Sequence, residues 1–178
     1  MARIRYIEKD EVAAEAMPIY NGLEERLGKV LNPIKMIAHS PKLLTDWWTM
    51  MMTLLNDLDL DAKLRELALL RIFRLTGCDY CFAEHDRVAR EAGVSEKQIS
   101  DIDEYESSDA FTDIERLVLR YTDGITRDNA VDDKVFSALR ERLSDRELVE
   151  LTFCIGNWNG IARFIVPMGL ELESQDRS

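Results

Sequence analysis

Apolar residues recur three and four positions apart along almost the whole 178-residue chain, and no segment alternates with period two for long. A chain patterned in this way can bury one stripe of each helix but offers no strand face, so an all-α fold is expected. A first helix is expected over residues 10–27, broken or restarted at Pro18. Asn32-Pro33 and Ser40-Pro41 mark turns, and Pro41 suits the first turn of a helix carrying Leu43, Leu44, Trp47, Trp48 and Met50 to Met52. That bulky stripe reads as core or subunit interface rather than as a cofactor box.

Asp61 opens a helix that is apolar on most sides and should therefore be buried, with Gly77 as its C-cap. The next helix runs from Cys78 or Asp79 to Ala92, before Gly93. Three capping boxes follow, Ser95 with Gln98, Thr112 with Glu115 and Ser144 with Glu147, each marking a helix start. A shorter helix fits near Asp132 to Leu143. The last begins about Asp145, with a kink or a close helix contact at Asn157-Trp158-Asn159-Gly160. The polar tail from Glu171 to Ser178 is expected to fray, and the length suits a single domain over residues 1–178.

With 34 acidic against 23 basic residues, a net charge of −11 and no basic run, the chain is a poor fit to a phosphate backbone, so no nucleic-acid partner is expected. No stretch approaches the ~18 consecutive apolar residues of a membrane span, and the charged first 18 residues lack a signal-peptide core. A cytoplasmic address is expected. Three cysteines, Cys78, Cys81 and Cys154, do not make a disulfide framework in a chain of this size.

The chemistry concentrates in T-G-C-D-Y-C-F-A-E-H-D, residues 76–86. Cys78 stands at a helix start, where unpaired amides and the positive end of the dipole favour a thiolate. Cys81, three positions on, is within disulfide reach, so one sulfur can attack a peroxide and the other resolve the product. His85 lies one turn beyond Cys81 on the same face, a general-base position. If the helices on either side of Gly77 pack antiparallel, Glu66 comes opposite His85 and can orient it directly or through water.

Other uses of these residues stay open on the spacing alone. Cys78 and Cys81 could be half of a structural zinc site, although no second CxxC exists and the other histidine, His39, is in a different segment. The same two cysteines with His85 could hold a catalytic zinc in a cramped geometry, or the pair could be purely structural. Cys154, inside Thr152-Phe153-Cys154-Ile155, reads as an inert buried thiol. Tyr121, Asn159 and Arg163 read as packing and capping residues.

The segment from Glu66-Leu-Ala-Leu-Leu-Arg to Gly77-Cys78-Asp79-Tyr80-Cys81-Phe82-Ala83-Glu84-His85 resembles the signature of the alkyl hydroperoxidase D-like branch of the carboxymuconolactone decarboxylase superfamily: a glutamate, eleven residues, then C-x-x-C-x-x-x-H. Ala38-His39-Ser40-Pro41, Ala92-Gly93-Val94-Ser95, Leu119-Arg120-Tyr121-Thr122-Asp123 and Arg146-Glu147-Leu148-Val149-Glu150-Leu151 also look like family blocks, so the resemblance covers about residues 30 to 165.

The resemblance implies a compact multi-helix domain assembled as a homotrimer or homohexamer. It also implies a thiol-dependent peroxidase or disulfide reductase acting on organic hydroperoxides, recycled by a dithiol donor of lipoyl or thioredoxin type. In the family's roles Cys81 attacks, Cys78 resolves, and His85 with Glu66 relays the proton. No cofactor and no metal enter this chemistry. Cys78, as the more exposed sulfur, would exchange with the donor.

Family peroxidases carry a second histidine between the cysteines; this chain has Tyr80, which can donate a hydrogen bond but is a poor base at neutral pH. The resemblance leaves two alternatives to peroxidase turnover. One is a carboxymuconolactone-type decarboxylase, which needs an acid and an anion site rather than two thiols. The other is a non-enzymatic sensor that responds to oxidant by closing the cysteine pair.

Overall fold

The structure, a computed structural model, describes residues 2–173. Those residues form nine α-helices and no strand. The all-α expectation is met. The chain divides into two compact units, one comprising the residues up to Asp57 together with those from Pro167 onward, the other Leu58–Val166.

The first unit contains α1 (Met17–Leu27), α2 (Asn32–Ile37) and α3 (Pro41–Asn56). Each has a proline in its first turn. Pro18 therefore starts α1 instead of breaking a longer helix from Asp10, because a proline lacks only an N–H that the first turn leaves unbonded in any case. Pro33 likewise opens a six-residue helix where a bare turn was expected. Tyr20, Leu23, Ile34 and Leu44 form the core here, with half-buried Trp47 and Trp48 packed against it. The Tyr20 hydroxyl, fully buried, donates to the carbonyl of Ile7 at 2.8 Å, as a buried phenol must. The start of the polar tail is held: the Glu173 carboxylate accepts from the Asn32 backbone amide at 2.6 Å and pairs with Lys29 at 2.9 Å. The rest of the segment expected to fray, residues 174–178, lies outside the described residues.

The second unit holds α4 (Ala62–Thr76), α5 (Asp79–Glu91), α6 (Glu96–Ser100), α7 (Asp113–Asp128), α8 (Asp133–Arg140) and α9 (Asp145–Met168) as far as Val166. Asp61 caps α4, its carboxylate accepting from the Leu64 amide at 3.0 Å. From Leu64 to Phe73 every residue of α4 is buried, as an all-round apolar helix requires, and it packs against α5 and α7. Gly77 ends α4 at φ 65°, a left-handed conformation that costs a glycine nothing. The chain reverses there, and α5 returns along α4.

All three capping boxes form. Ser95 and Thr112 exchange bonds with Gln98 and Glu115, and Ser144 with Glu147, whose carboxylate accepts from the Ser144 amide at 2.8 Å while the Ser144 hydroxyl accepts from the Glu147 amide at 3.2 Å. The kink expected near Asn157 to Gly160 does not interrupt α9, which is continuous through it. Nor is there a close contact at Gly160, where an added Cβ would meet nothing within 4 Å. The polar residues of that stretch are used differently: Trp158 and Asn159 turn inward and find partners inside the unit.

Candidate active site

Helix α5 begins on a sulfur. Cys78 is its N-cap, and the Cys78 Sγ accepts from the backbone amide of Cys81 at 3.3 Å. The two cysteines are joined as a disulfide, with their Cα atoms 5.3 Å apart. Joined to each other, the sulfurs are not thiolate ligands for a metal. Cys78 is 1% exposed and Cys81 3%, so Cys78 is not the more accessible sulfur as expected. The expectation took a helix start to be open to water; here the cap bond holds the Cys78 side chain against the first turn of α5, and what packs over that turn covers it.

Glu66 sits in the middle of α4 with no exposed surface. Its two oxygens are both used. Arg65 Nε donates to Oε1 at 3.0 Å and His85 Nδ1 donates to Oε2 at 2.8 Å. Burial pushes the carboxyl up, but the hydrogen bond from His85 and the Arg65 guanidinium more than offset it, holding the group below its usual range and ionised. The contact between Glu66 and His85 is direct, with no bridging water needed. The Gly77 reversal therefore does what the spacing predicts, bringing a residue three turns before the turn against one two turns after it. His85, in the second turn of α5, shares a face with Cys81 one turn earlier.

Two further residues complete the surroundings of the imidazole. The Phe73 ring lies 5.1 Å from it, centroid to centroid. Trp158, from α9, donates its indole N–H to His85 Nε2 at 3.3 Å, with ring centroids 6.0 Å apart and planes at 86°. Sequence reasoning gave Trp158 no place in the site. A signal was present, since a tryptophan on the apolar stripe of a helix needs an acceptor for its N–H, but nothing local names an acceptor 73 residues away.

The remaining candidates find their hydrogen-bond partners elsewhere in the unit. Tyr121 and Thr152 share a hydroxyl hydrogen bond of 2.7 Å, Asn159 donates to Thr126 at 2.9 Å, and Arg163 reaches the Thr126 carbonyl at 3.3 Å. These are the packing and capping roles expected of them. Cys154 is wholly buried, and burial pushes its thiol up to about 12, leaving it protonated and unreactive at neutral pH. A cavity of about 500 Å³ in the first unit, between Tyr6, Tyr20, Lys29 and Lys35, contains none of the site residues.

Residues 41–124 match the carboxymuconolactone decarboxylase family. Among solved structures, a putative antioxidant defence protein of the alkyl hydroperoxidase D type from Agrobacterium tumefaciens is 25% identical and covers 79% of this chain and 97% of its own, with a TM-score of 0.72. Over residues 41–124 the chain is thus similar to the carboxymuconolactone decarboxylase family, and in fold to a protein of the alkyl hydroperoxidase D type. An uncharacterized peroxidase-related protein from Silicibacter sp. TM1040 shares the fold at 18% identity, covering 98% and 93% of the two chains with a TM-score of 0.85. So does the debrominase Bmp8, solved with 2,3,4-tribromopyrrole, at 18% identity, 98% and 95% coverage and a TM-score of 0.82. This chain therefore shares its helical frame with a debrominase as well as with a peroxidase-related protein, and a shared frame does not by itself fix the chemistry.

Proposed function

We propose that this chain is a thiol peroxidase with disulfide reductase character, reducing organic hydroperoxides through Cys78 and Cys81. The observation that carries the reading is the disulfide at the start of α5, one helical turn from a histidine hydrogen-bonded to a buried, ionised glutamate. A decarboxylase has no use for that pair.

In the proposed cycle a dithiol donor first opens the disulfide by exchange, so that two electrons and two protons pass from the donor to the pair and the donor leaves as its own disulfide. His85 takes the proton of Cys81, and Glu66, ionised and bonded to Nδ1, stabilises the imidazolium that forms. The Cys81 thiolate attacks the terminal oxygen of the hydroperoxide. The O–O bond breaks, the alkoxide leaves with the proton held on His85, and Cys81 becomes a sulfenic acid. Cys78 then attacks the sulfenic sulfur, expelling water and restoring the disulfide. Two features bear on which sulfur attacks. The position of Cys78 at the helix N-terminus favours its thiolate, while the place of Cys81 one turn from His85 favours deprotonation by the relay. We assign the attack to Cys81 because the relay supplies both a base and the acid for the leaving alkoxide.

Burial of both sulfurs suits a donor with a narrow dithiol group, such as a lipoyl arm, more than one that must lay a broad surface against the pair. The test is hydroperoxide consumption with a panel of dithiol donors. Catalytic turnover with at least one is expected; a single equivalent of peroxide consumed with every donor would replace the enzyme with an oxidant sensor.

We further propose that the chain assembles as a homotrimer or homohexamer. Val149 and Phe153 stand 67% and 54% exposed on successive turns of α9, an apolar strip that water does not favour. Sedimentation velocity is expected to give a mass three or six times that of the chain, and a monomer at micromolar concentration would overturn it.

A further inference from the structure

The hydrogen atoms around His85 are decided by its two neighbours. An ionised carboxylate only accepts, so the proton between Glu66 Oε2 and His85 Nδ1 belongs to Nδ1. An indole nitrogen only donates, so the proton between Trp158 Nε1 and His85 Nε2 belongs to the indole. The imidazole is therefore neutral with a bare Nε2, which is the form a base must have. It is so in the disulfide state, when Cys81 has no proton to give. Once Cys81 is a thiol and hands its proton to Nε2, that nitrogen becomes a donor. Two N–H groups cannot face each other, so the indole has to leave.

We propose that Trp158 is a positioning residue that occupies His85 Nε2 while the disulfide is closed and yields that nitrogen to the Cys81 proton when the pair is reduced. The proposal rests on the redox reading of the pair, but not on peroxide as its oxidant. Three features support it. Trp158 is 2% exposed, so its N–H has no water to turn to and the bond to Nε2 is its accommodation. At 3.3 Å the bond is long for a nitrogen–nitrogen pair and correspondingly weak, hence replaceable when Nε2 takes a proton. It comes from α9 rather than from α4 or α5, so the relay residues can stay in place while the indole moves. The groups in contact with the imidazole are Glu66 and Phe73 from α4 and Trp158 from α9; Arg65 pairs with the same Glu66, the Cys78–Cys81 pair begins the helix one to two turns before His85, and Cys154, also on α9 and subject to the Arg65 and Glu66 charges, stays a neutral thiol.

The step balances simply. With dithiothreitol, two electrons and two protons move from the reagent to the cysteines and the reagent leaves as its cyclic disulfide. One of those protons then passes from Cys81 sulfur to Nε2. The indole N–H bond is neither made nor broken; it gives up Nε2 as its acceptor.

The experiment uses the full chain in two forms, wild type and a form with 3-benzothienylalanine at position 158, which keeps the ring shape but has sulfur where the indole has N–H. The indole ¹H–¹⁵N resonance of Trp158, assigned by its loss in the substituted form, is expected to shift on reduction, whereas those of Trp47 and Trp48 serve as internal references. Because the hydrogen bond stabilises only the disulfide state, removing it is expected to move the equilibrium with dithiothreitol about five-fold towards the dithiol form. An indole resonance unchanged by reduction, together with an unchanged equilibrium in the isostere, overturns the proposal. Both readouts need only a reducible pair, so they stand if no hydroperoxide is turned over, and failure of the peroxidase reading is seen separately as absence of peroxide consumption.

Discussion

Cys81→Ser is expected to remove hydroperoxide turnover, by roughly 10³-fold or more, the scale on which deleting an enzyme nucleophile acts. Cys78→Ser is expected to do something different. It keeps the attacking thiol, so it should consume one equivalent of hydroperoxide and stop at a sulfenic acid that dimedone traps on Cys81. The contrast tests the order of the two cysteines as well as the need for both. If the single-equivalent reaction belongs instead to Cys81→Ser, the attack lies with Cys78, and the helix N-terminus that donates to its sulfur outweighs the histidine one turn from Cys81. Retained multiple turnover in both single variants would remove the pair from the mechanism altogether. Peroxide depletion, a thiol count and intact-protein mass distinguish these results.

Glu66→Gln has the second large effect expected, and it is double. Turnover should fall about 10²-fold, because the amide offers no charge to stabilise His85 once it has taken the thiol proton. Stability should fall by about 1–3 kcal/mol, because charge-assisted hydrogen bonds from Arg65 and His85 become ordinary ones inside the core. The sign of the pH dependence follows from the direction of the shift. The folded carboxyl is held below its ordinary 4.5, against its burial, by the His85 hydrogen bond and the Arg65 charge. Its contribution is therefore fully present above that ordinary value and is lost as the pH falls through the lower folded one. Urea midpoints for wild type and Glu66→Gln should differ most near neutral pH and converge on acidification below about 4. A stability difference that does not change with pH would mean the charge of Glu66 is immaterial to the fold.

The parts of this structure legible in the sequence are those decided by near neighbours. Each capping box is a bargain between residues three apart, so Ser95, Thr112 and Ser144 announce their helices without reference to the rest of the chain. The meeting of Glu66 with His85 is legible for a related reason: they flank one tight reversal at Gly77, and helix geometry converts their distances from it into a shared level. Pro18 reads as a break because a proline inside an apolar periodic run looks like an interruption, and only the turns that precede it show that there is no helix there to interrupt. The burial of Cys78 and the place of Trp158 were not legible at all. Exposure is a property of what packs over a residue, and α9 reaches His85 from 73 positions away, with no local pattern to signal the approach.

The sulfur that begins α5 has a last consequence. Cys78 is at once one half of an electron-storing bond and the atom on which a helix starts. A disulfide sulfur is a weak acceptor, whereas a thiolate in the same place carries a full charge towards the amide of Cys81 and the positive end of the helix. To the extent that reduction places the charge on Cys78, it tightens the first turn of α5 instead of loosening it. On the proposed cycle, reduction therefore leaves the helix better anchored whenever Cys78 carries the charge, and closing the disulfide leaves that end of the helix slacker.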